Sequence, residues 1–351
     1  MSRLEKKRRP LGAEPGGPVF AAIDAGSHTI RLLVATLGEN LEITPLKTER
    51  RITRLARGFR EGETLKEAGM SGSLAVFREY AAILEDYGAG PAACGATGVI
   101  RRAVNGKEFL ERVHEETGIR TRILSEEAEA ILSTRGVLSV LPSREGAVLT
   151  FDLGGSSTEF TLVDTARDEP LWNTSVFIGA ATVTERWLLD DPPGSPACAA
   201  AARDIREALA PALATVHELL REAPESRPFR IVGTAGTAAT LAAMRLGMAE
   251  YRPFLVNGSA LSTAWLDETI ALLSRSTLEA RRGIRGLEKG REDIILGGGM
   301  IVRAILEGLG LDGLTVVDGG LLEGLLIDEI ESRCGLPHSL KTPLTWRRQG
   351  I

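Results

Sequence analysis

Cysteine is scarce in this 351-residue chain: Cys94, Cys198 and Cys334 are far apart and odd in number. They offer no disulfide framework and no paired-cysteine metal site. They read instead as buried or incidental thiols in a reducing compartment. The four histidines, His28, His114, His217 and His338, are equally scattered, which argues against a histidine-based metal centre. No apolar run approaches the ~18 residues of a membrane span. The N-terminus, MSRLEKKRRPLGAEPGGP, is basic and then rich in Pro and Gly, without the apolar core of a secretory signal. The expectation is a cytoplasmic protein, away from membranes, whose residues 1–18 form a disordered tail. A surplus of positive charge is lacking too, since 42 Lys and Arg against 47 Asp and Glu leave a net charge of −5. A dedicated nucleic-acid binder would need a broad basic surface. An anionic substrate stays open, because a local arginine cluster can serve it whatever the global sign.

What the chain has is length, an ordinary globular composition and much glycine. Its 351 residues suggest two domains. Hydrophobic residues at 43% and charged residues at 25% are the values of a packed protein, and there are 39 glycines to place. Residues 19–36, VFAAIDAGSHTIRLLVAT, are two β-rich runs around a small polar turn, the signal of a hairpin. Residues 147–164, AVLTFDLGGSSTEFTLVD, have the same design. Aligning the two sets Asp24 on Asp152, Gly26 on Gly154 and Ser27 near Ser156. This weak internal repeat suggests a duplicated domain. Helical spacing appears over 71–88 and 107–118, with a short strand over 92–97. A helix over 125–141 starts at Ser125, a good N-cap with acidic residues in its first turn. After a Pro-rich loop at 190–196 comes a long helical stretch that Pro211 should split or kink. Strands follow at 229–232 and 314–317, and the last residues read as a polar tail.

Five glycine-rich turns result, at 26–27, 154–157, 233–237, 297–299 and 319–320. Glycine permits positive φ and close backbone approach. Exposed amides in such turns form anion-binding nests, and helix N-termini add a favourable dipole. One such turn alone is no more than a turn; five, two of them duplicated and bearing Asp, point to phosphate. Asp24 and Asp152 cannot stabilise phosphate themselves. They fit as ligands for Mg²⁺ or Mn²⁺ bridging phosphate oxygens, and Glu159, seven residues beyond Asp152, can join the same ion. For Asp24 an Asx-turn role stays open.

At these residues the chain resembles the exopolyphosphatase and guanosine pentaphosphate phosphohydrolase family (Ppx/GppA). IDAGSHTIRLLVA, ATGVIRRAVNG, LSEEAEAILSTRGV, FDLGGSSTEF, GTAGTAATLAA and VVDGGLLEG occur in that family's order, over about residues 19–330. The Asp-Gly-Ser hairpin is shared with actin-like ATPases and sugar kinases; the arginine and Glu-Ala motifs narrow it. The resemblance implies an α/β fold of two actin-like (ribonuclease H-like, ASKHA) domains flanking a central cleft. Domain I would span 19–135 and domain II 136–335, with a tail at 336–351. The sequence ends where longer members continue into a helical C-terminal domain, so the expectation is a short, two-domain type.

The resemblance also implies roles. In S-x-x-E-E-A the second Glu is the general base, which here is Glu129, with Ala128 in place of the first Glu. Glu126 and Glu127 read as solvated. Arg101 matches the catalytic arginine of T-x-x-x-R-x-A-x-N, with Thr97 and Asn105 in place as substrate-binding residues. Asp152 and Glu159 match the acidic pair of D-x-G-G-G-S-T-E and would hold the metal. Asp24, Gly26, Ser27 and His28 of the first hairpin would bind substrate. So would Gly154, Gly155, Ser156 and Ser157 of the second, and Gly236. Ser156 replaces a third Gly, and His28 stands where Asn is usual. The implied substrate is inorganic polyphosphate or guanosine pentaphosphate, and a homodimer is a candidate assembly. An actin-like kinase and a non-catalytic alarmone sensor are the rivals. Two arginine groups, Arg50, Arg51, Arg54, Arg57 and Arg60, and Arg281, Arg282, Arg285 and Arg291, are either polyanion contacts or solvated faces.

Overall fold

A computed structural model describes residues 17–60, 62–142, 145–165, 170–222, 229–340 and 342–347. Most of the tail expected over 1–18 lies outside the described residues. The chain divides into two compact units, the first made of residues 1–123, 325–338 and 342–351, the second of 124–324 and 339–341.

Unit 1 opens with β1 (Val19–Ala25), β2 (Thr29–Leu37) and β3 (Glu42–Ile52). Then come α1 (Glu67–Tyr87), β4 (Ala93–Ala96), α2 (Gly98–Arg102), α3 (Gly106–Thr117) and β5 (Thr121–Ile123). Strands are numbered along the whole chain, so the last, which also joins this sheet, is β12 (Thr345–Trp346). The order is β12-β3-β2-β1-β4-β5. β1, β2 and β3 form an antiparallel meander, and β4 and β5 run parallel to β1. That is the ribonuclease H-like arrangement. Strand alternation decides which side chains are buried where. Ala21, Ile23 and Ala25 of β1 and Ile30, Leu32 and Val34 of β2 enter one core with Leu74, Phe77 and Tyr80 of α1 and Phe109 and Val113 of α3. The Tyr80 hydroxyl donates to Ile30 O at 2.8 Å, and burial pushes the phenol well above its ordinary pKa. The intervening residues, Asp24 and Arg31 among them, face the other side.

Unit 2 contains α4 (Glu126–Val140), β6 (Ala147–Leu153), β7 (Thr158–Asp164), β8 (Pro170–Val176), α5 (Ala180–Trp187), α6 (Ser195–Glu222) and β9 (Phe229–Thr234). It continues through α7 (Ala235–Arg245), α8 (Pro253–Val256), β10 (Ser259–Ser262), α9 (Thr263–Arg275), α10 (Leu278–Arg281), α11 (Ile295–Leu309) and β11 (Gly313–Val316). The division between units falls within α12 (Leu321–Cys334). The sheet order is β10-β11-β9-β6-β7-β8. β6, β7 and β8 are antiparallel, β9 and β11 continue parallel to β6, and β10 is an antiparallel edge. Unit 2 therefore repeats the topology of unit 1, as the duplicated hairpin sequences suggest. Leu149, Phe151, Leu153, Phe160 and Leu162 face a large core shared with α5, α6, α7, α9 and α11. Val148 and Val163 face the opposite side, against Val137, Leu138 and Leu141 at the end of α4.

Three expectations change. The glycines at 297–299 are not a turn but lie buried inside α11. A Cβ on Gly297 would stand 3.0 Å from both Ala180 O and Thr184 Oγ1, so glycine there admits α5. Pro211 does not split its helix, for α6 runs unbroken from Ser195 to Glu222. Ile205, Leu209, Ala212, Leu213 and Val216, all buried in the core, hold both sides of the proline in one helix and outweigh its missing amide. The C-terminal stretch, read as a polar tail, contributes β12, whose Thr345 and Trp346 pair with Glu42 and Ile43, and buries Leu344. Among the described residues, no helix is long and apolar enough to cross a membrane.

Candidate active site

The two hairpins share one geometry. In unit 1 the Gly26 amide donates to Thr29 O at 3.0 Å; in unit 2 the Gly154 amide donates to Ser157 O at 3.0 Å. Asp24 pairs across its hairpin with Arg31, and Asp152 across its own with Glu159. Ser27 thus corresponds to Gly155 and His28 to Ser156, one residue from the alignment read off the sequence. The units also differ in charge at one equivalent place. Unit 1 sets a buried arginine opposite its Asp; unit 2 sets a second carboxylate. Arg31 was missed by sequence reading, although its spacing of seven from Asp24 repeats that of Glu159 from Asp152.

Strand alternation places Asp152 and Glu159 on the face of the unit 2 sheet that α4 covers, with Val148 and Val163. Val137, Leu138 and Leu141, at the C-terminal end of α4, share one apolar cluster with Val148, Val163, Val232 and Val317. Asp152 pairs with Thr234 at the end of β9, the Thr234 hydroxyl donates to Gly319 O, and Gly136 of α4 packs against Gly320, so α4 meets the sheet at the end that carries Asp152. The helix starts as expected: Ser125 Oγ accepts from the Ala128 amide at 3.2 Å. Glu129 is half-buried, whereas Glu126 and Glu127 are exposed.

The turn at 154–157 is braced from behind. Gly154 O accepts from the Ala180 amide at 3.0 Å, and Gly155 O from those of Ala181 at 2.8 Å and Thr182 at 3.1 Å, all at the start of α5. With the carbonyls engaged, the amides of Gly155 and Ser156 donate to no acceptor among the described residues. Two backbone donors side by side make an anion nest. Glu159 is held by hydroxyl donors, Ser157 Oγ at 2.5 Å and Ser175 Oγ at 3.0 Å.

A second loop is duplicated as well. Thr97 leads from β4 into α2 and Thr234 from β9 into α7, with φ of −131° and −130°. The next residue is left-handed in both, Gly98 at φ 45° and Ala235 at φ 65°. An alanine in that region is strained, a feature found at functional turns. The sequence hides this, since only Gly advertises positive φ. Gly236 lies in the first turn of α7, and a Cβ there would overlap the Arg291 guanidinium, which is buried and ion-paired with Glu288. Glu288 offsets the Arg291 charge, so the positive potential at this turn comes from the α7 N-terminus.

In unit 1, Ser27 Oγ accepts from the Val99 amide at 3.1 Å, joining the hairpin turn to the loop that Thr97 opens. The His28 carbonyl accepts from the amides of Thr53 and Arg54, each at 3.0 Å. Arg101 is half-buried in the last turn of α2. Asn105 turns its amide to the chain itself, accepting from Leu65 N at 2.8 Å and donating to Leu65 O at 3.2 Å.

Asp152 and Glu159 fit a divalent metal of the hard, oxygen-seeking kind. Directly opposed residues on one sheet face have Cβ atoms about 5 Å apart. Mg²⁺ is commonly bound by one or two carboxylates, with waters and substrate phosphates completing its shell. No group of three or more His, Cys, Asp or Glu able to hold a metal occurs among the described residues, so protein atoms alone make only a partial shell.

The arginine groups resolve unevenly. Arg51 is ion-paired with Glu49 and Glu79, and Lys47 with Glu49, on the surface of β3. Arg281 is buried and donates to the carbonyls of Leu273 and Glu292 at 2.9 Å, bracing the 273–292 segment; burial lowers its pKa. Arg282 is exposed and paired with Glu279.

A sequence model of the Ppx/GppA phosphatase family matches residues 33–333. Exopolyphosphatase 2 of Mycobacterium tuberculosis is 32% identical over 320 residues, covering 88% of this chain and 97% of that protein. The guanosine-5'-triphosphate,3'-diphosphate pyrophosphatase of Aliivibrio fischeri is 28% identical over 90% of this chain, which spans 60% of that longer protein. The crystal structure of the Aquifex aeolicus Ppx/GppA family member superposes with a TM-score of 0.73 at 29% identity, over 91% of this chain and 99% of that one.

Proposed function

The chain belongs to the Ppx/GppA phosphatase family, whose members are phosphoanhydride hydrolases, and we propose that it removes terminal orthophosphate from inorganic polyphosphate. The observation that carries this reading is the Asp152–Glu159 pair beside a braced nest of amides, on the sheet face covered by the helix of Glu129. Phosphoryl transfer needs positioning and charge neutralisation more than covalent chemistry. The amides of Gly155 and Ser156 bind oxygens of the terminal phosphates. Asp152 and Glu159 would hold Mg²⁺ or Mn²⁺, which would supply charge neutralisation for the phosphate. Arg101 grips phosphate through its planar fork. Gly26, Ser27, His28 and Thr97, in the duplicated turns of unit 1, take further phosphates, and Asp24 would reach them only through a cation or water. Glu129 accepts the proton of the attacking water as its oxygen bonds to phosphorus. The anhydride bond breaks, and its oxygen stays with the shortened chain.

Guanosine pentaphosphate is the second reading. It uses the same chemistry and is supported by the likeness to the Aliivibrio protein. The test is orthophosphate release from long-chain polyphosphate, tripolyphosphate and guanosine pentaphosphate, side by side with Mg²⁺. Fastest release from long polyphosphate is expected. Cleavage of guanosine pentaphosphate alone would move the assignment to the second reading. Binding without release would replace hydrolysis with sensing.

A further inference from the structure

Glu129 sits at one end of α4, and three glycines fix the other end. A Cβ on Gly136 would overlap Gly320 O and lie 2.7 Å from the carbonyl carbon and 2.9 Å from Gly324 N. A Cβ on Gly324 would overlap Leu132 O and lie 2.6 Å from its carbon. One on Gly319 would come within 2.7 Å of Gly136 O. At Gly136–Gly320 and Leu132–Gly324, α4 therefore rests backbone to backbone on this segment, and at Gly319 the Val140 side chain packs beside the Gly136 carbonyl.

Those residues are in turn held by the loop that opens α7. Thr234 Oγ1 donates to Gly319 O, and the Val317 amide donates to Gly233 O at 3.0 Å. The Gly320 amide is capped by Glu323 at 2.8 Å. Thr234 immediately precedes the strained Ala235. A continuous path of backbone contacts thus runs from the Thr234–Ala235 turn through Gly319 and Gly320 to Gly136. From Gly136, seven residues of helix, about 10 Å of rigid rise, lead back to Glu129.

We propose that Thr234 and Gly136 are positioning residues for the general base: the Thr234 hydroxyl and the Gly136–Gly320 contact set where α4, and with it Glu129, stands over the Asp152–Glu159 face. This rests on the reading that Glu129 activates water. Neither residue need touch the reacting atoms. Their effect is geometric, and a displacement of about 1 Å at a catalytic group can cost on the order of 10²-fold in rate.

The experiment uses the full chain and four single variants, Gly136→Ala, Thr234→Val, Thr234→Ser and Glu129→Gln, with each of the first two also combined with the last. kcat, KM and the melting temperature are measured on the best substrate. Gly136→Ala and Thr234→Val should each lower kcat on the order of 10²-fold with KM near wild type. Neither should lower it further once Glu129 is Gln, because a base that is gone cannot be misplaced. Thr234→Ser, which keeps the hydroxyl, should restore kcat. Thr234→Val adds no bulk and reads the same path if Gly136→Ala fails to fold. Losses that multiply in the Glu129→Gln background would overturn the proposal, as would a raised KM at unchanged kcat, or full activity in both single variants. Wild-type kcat in Glu129→Gln alone would instead sink the base assignment, a separate readout from the other two.

Discussion

Replacing Gly179 with alanine puts one methyl group where the structure has no room. The added Cβ would stand 2.5 Å from Gly155 C and O and 2.6 Å from Ser156 N, all backbone atoms. Ordinary carbon contacts need about 3.5 Å or more, so turn and helix must part by roughly 1 Å. Gly179 has φ −142° and ψ 173°, a conformation open to alanine, so the effect is steric. Parting them threatens the three hydrogen bonds from the start of α5 to Gly154 O and Gly155 O. At about 1 kcal/mol each, the cost is about 3 kcal/mol. For a unit of this size that is a fall in melting temperature of roughly 6–12 °C. The amides of Gly155 and Ser156 move with the turn, so kcat/KM should fall on the order of 10²-fold. Calorimetry and phosphate release on Gly179→Ala measure both. Gly72→Ala is the control: it lies exposed in α1 with nothing near its Cβ, and should hold or raise the melting temperature at wild-type activity. Wild-type melting and rate for Gly179→Ala would refute the bracing argument.

Other outcomes are as definite. Asp152→Asn should raise the Mg²⁺ needed for half-maximal rate on the order of tenfold or more; an unchanged titration at full activity removes Asp152 from the metal. Burial pushes the Cys94 thiol up to about 12 from 9.0, so in the native state iodoacetamide should modify exposed Cys334 and spare Cys94, as mass spectrometry would show. The same shift withdraws stability only above pH 9, as the unfolded thiol ionises and the folded one does not. Arg51→Ala should leave turnover of long polyphosphate and tripolyphosphate equally near wild type, because Glu49 and Glu79 already hold its guanidinium. A selective loss on the long substrate would return Arg51 to the polyanion path.

The sequence reading reaches furthest where one local signal settles the structure. The two hairpins are legible because β-rich runs flank a Gly-Ser turn twice, and the start of α4 because Ser125 caps it. β3 was passed over because its Lys47, Glu49, Arg50 and Arg51 look like a charge run. In the sheet these charges sit on a strand and pair along its surface. Gly297–Gly299 misled because glycine marks close packing as readily as a turn, and only the approach of α5 distinguishes the two. Ala235 was invisible for another reason: a left-handed alanine is a property of the backbone path, which composition does not encode. The Asp24–Arg31 pairing left a trace, a spacing of seven repeated by Asp152 and Glu159, that was passed over.

The central claim is that Glu129 removes the proton from the attacking water, and Glu129→Gln tests it most directly. The substitution keeps the shape but takes away the negative charge and the proton acceptor. Turnover should fall on the order of 10²–10⁴-fold, the usual worth of a positioned general base. Substrate binding should hold or tighten, since one negative charge beside a polyanion is gone. Glu127→Gln, two residues earlier and exposed, should change little. Wild-type turnover in Glu129→Gln, or a loss that appears in Glu127→Gln instead, would contradict the account.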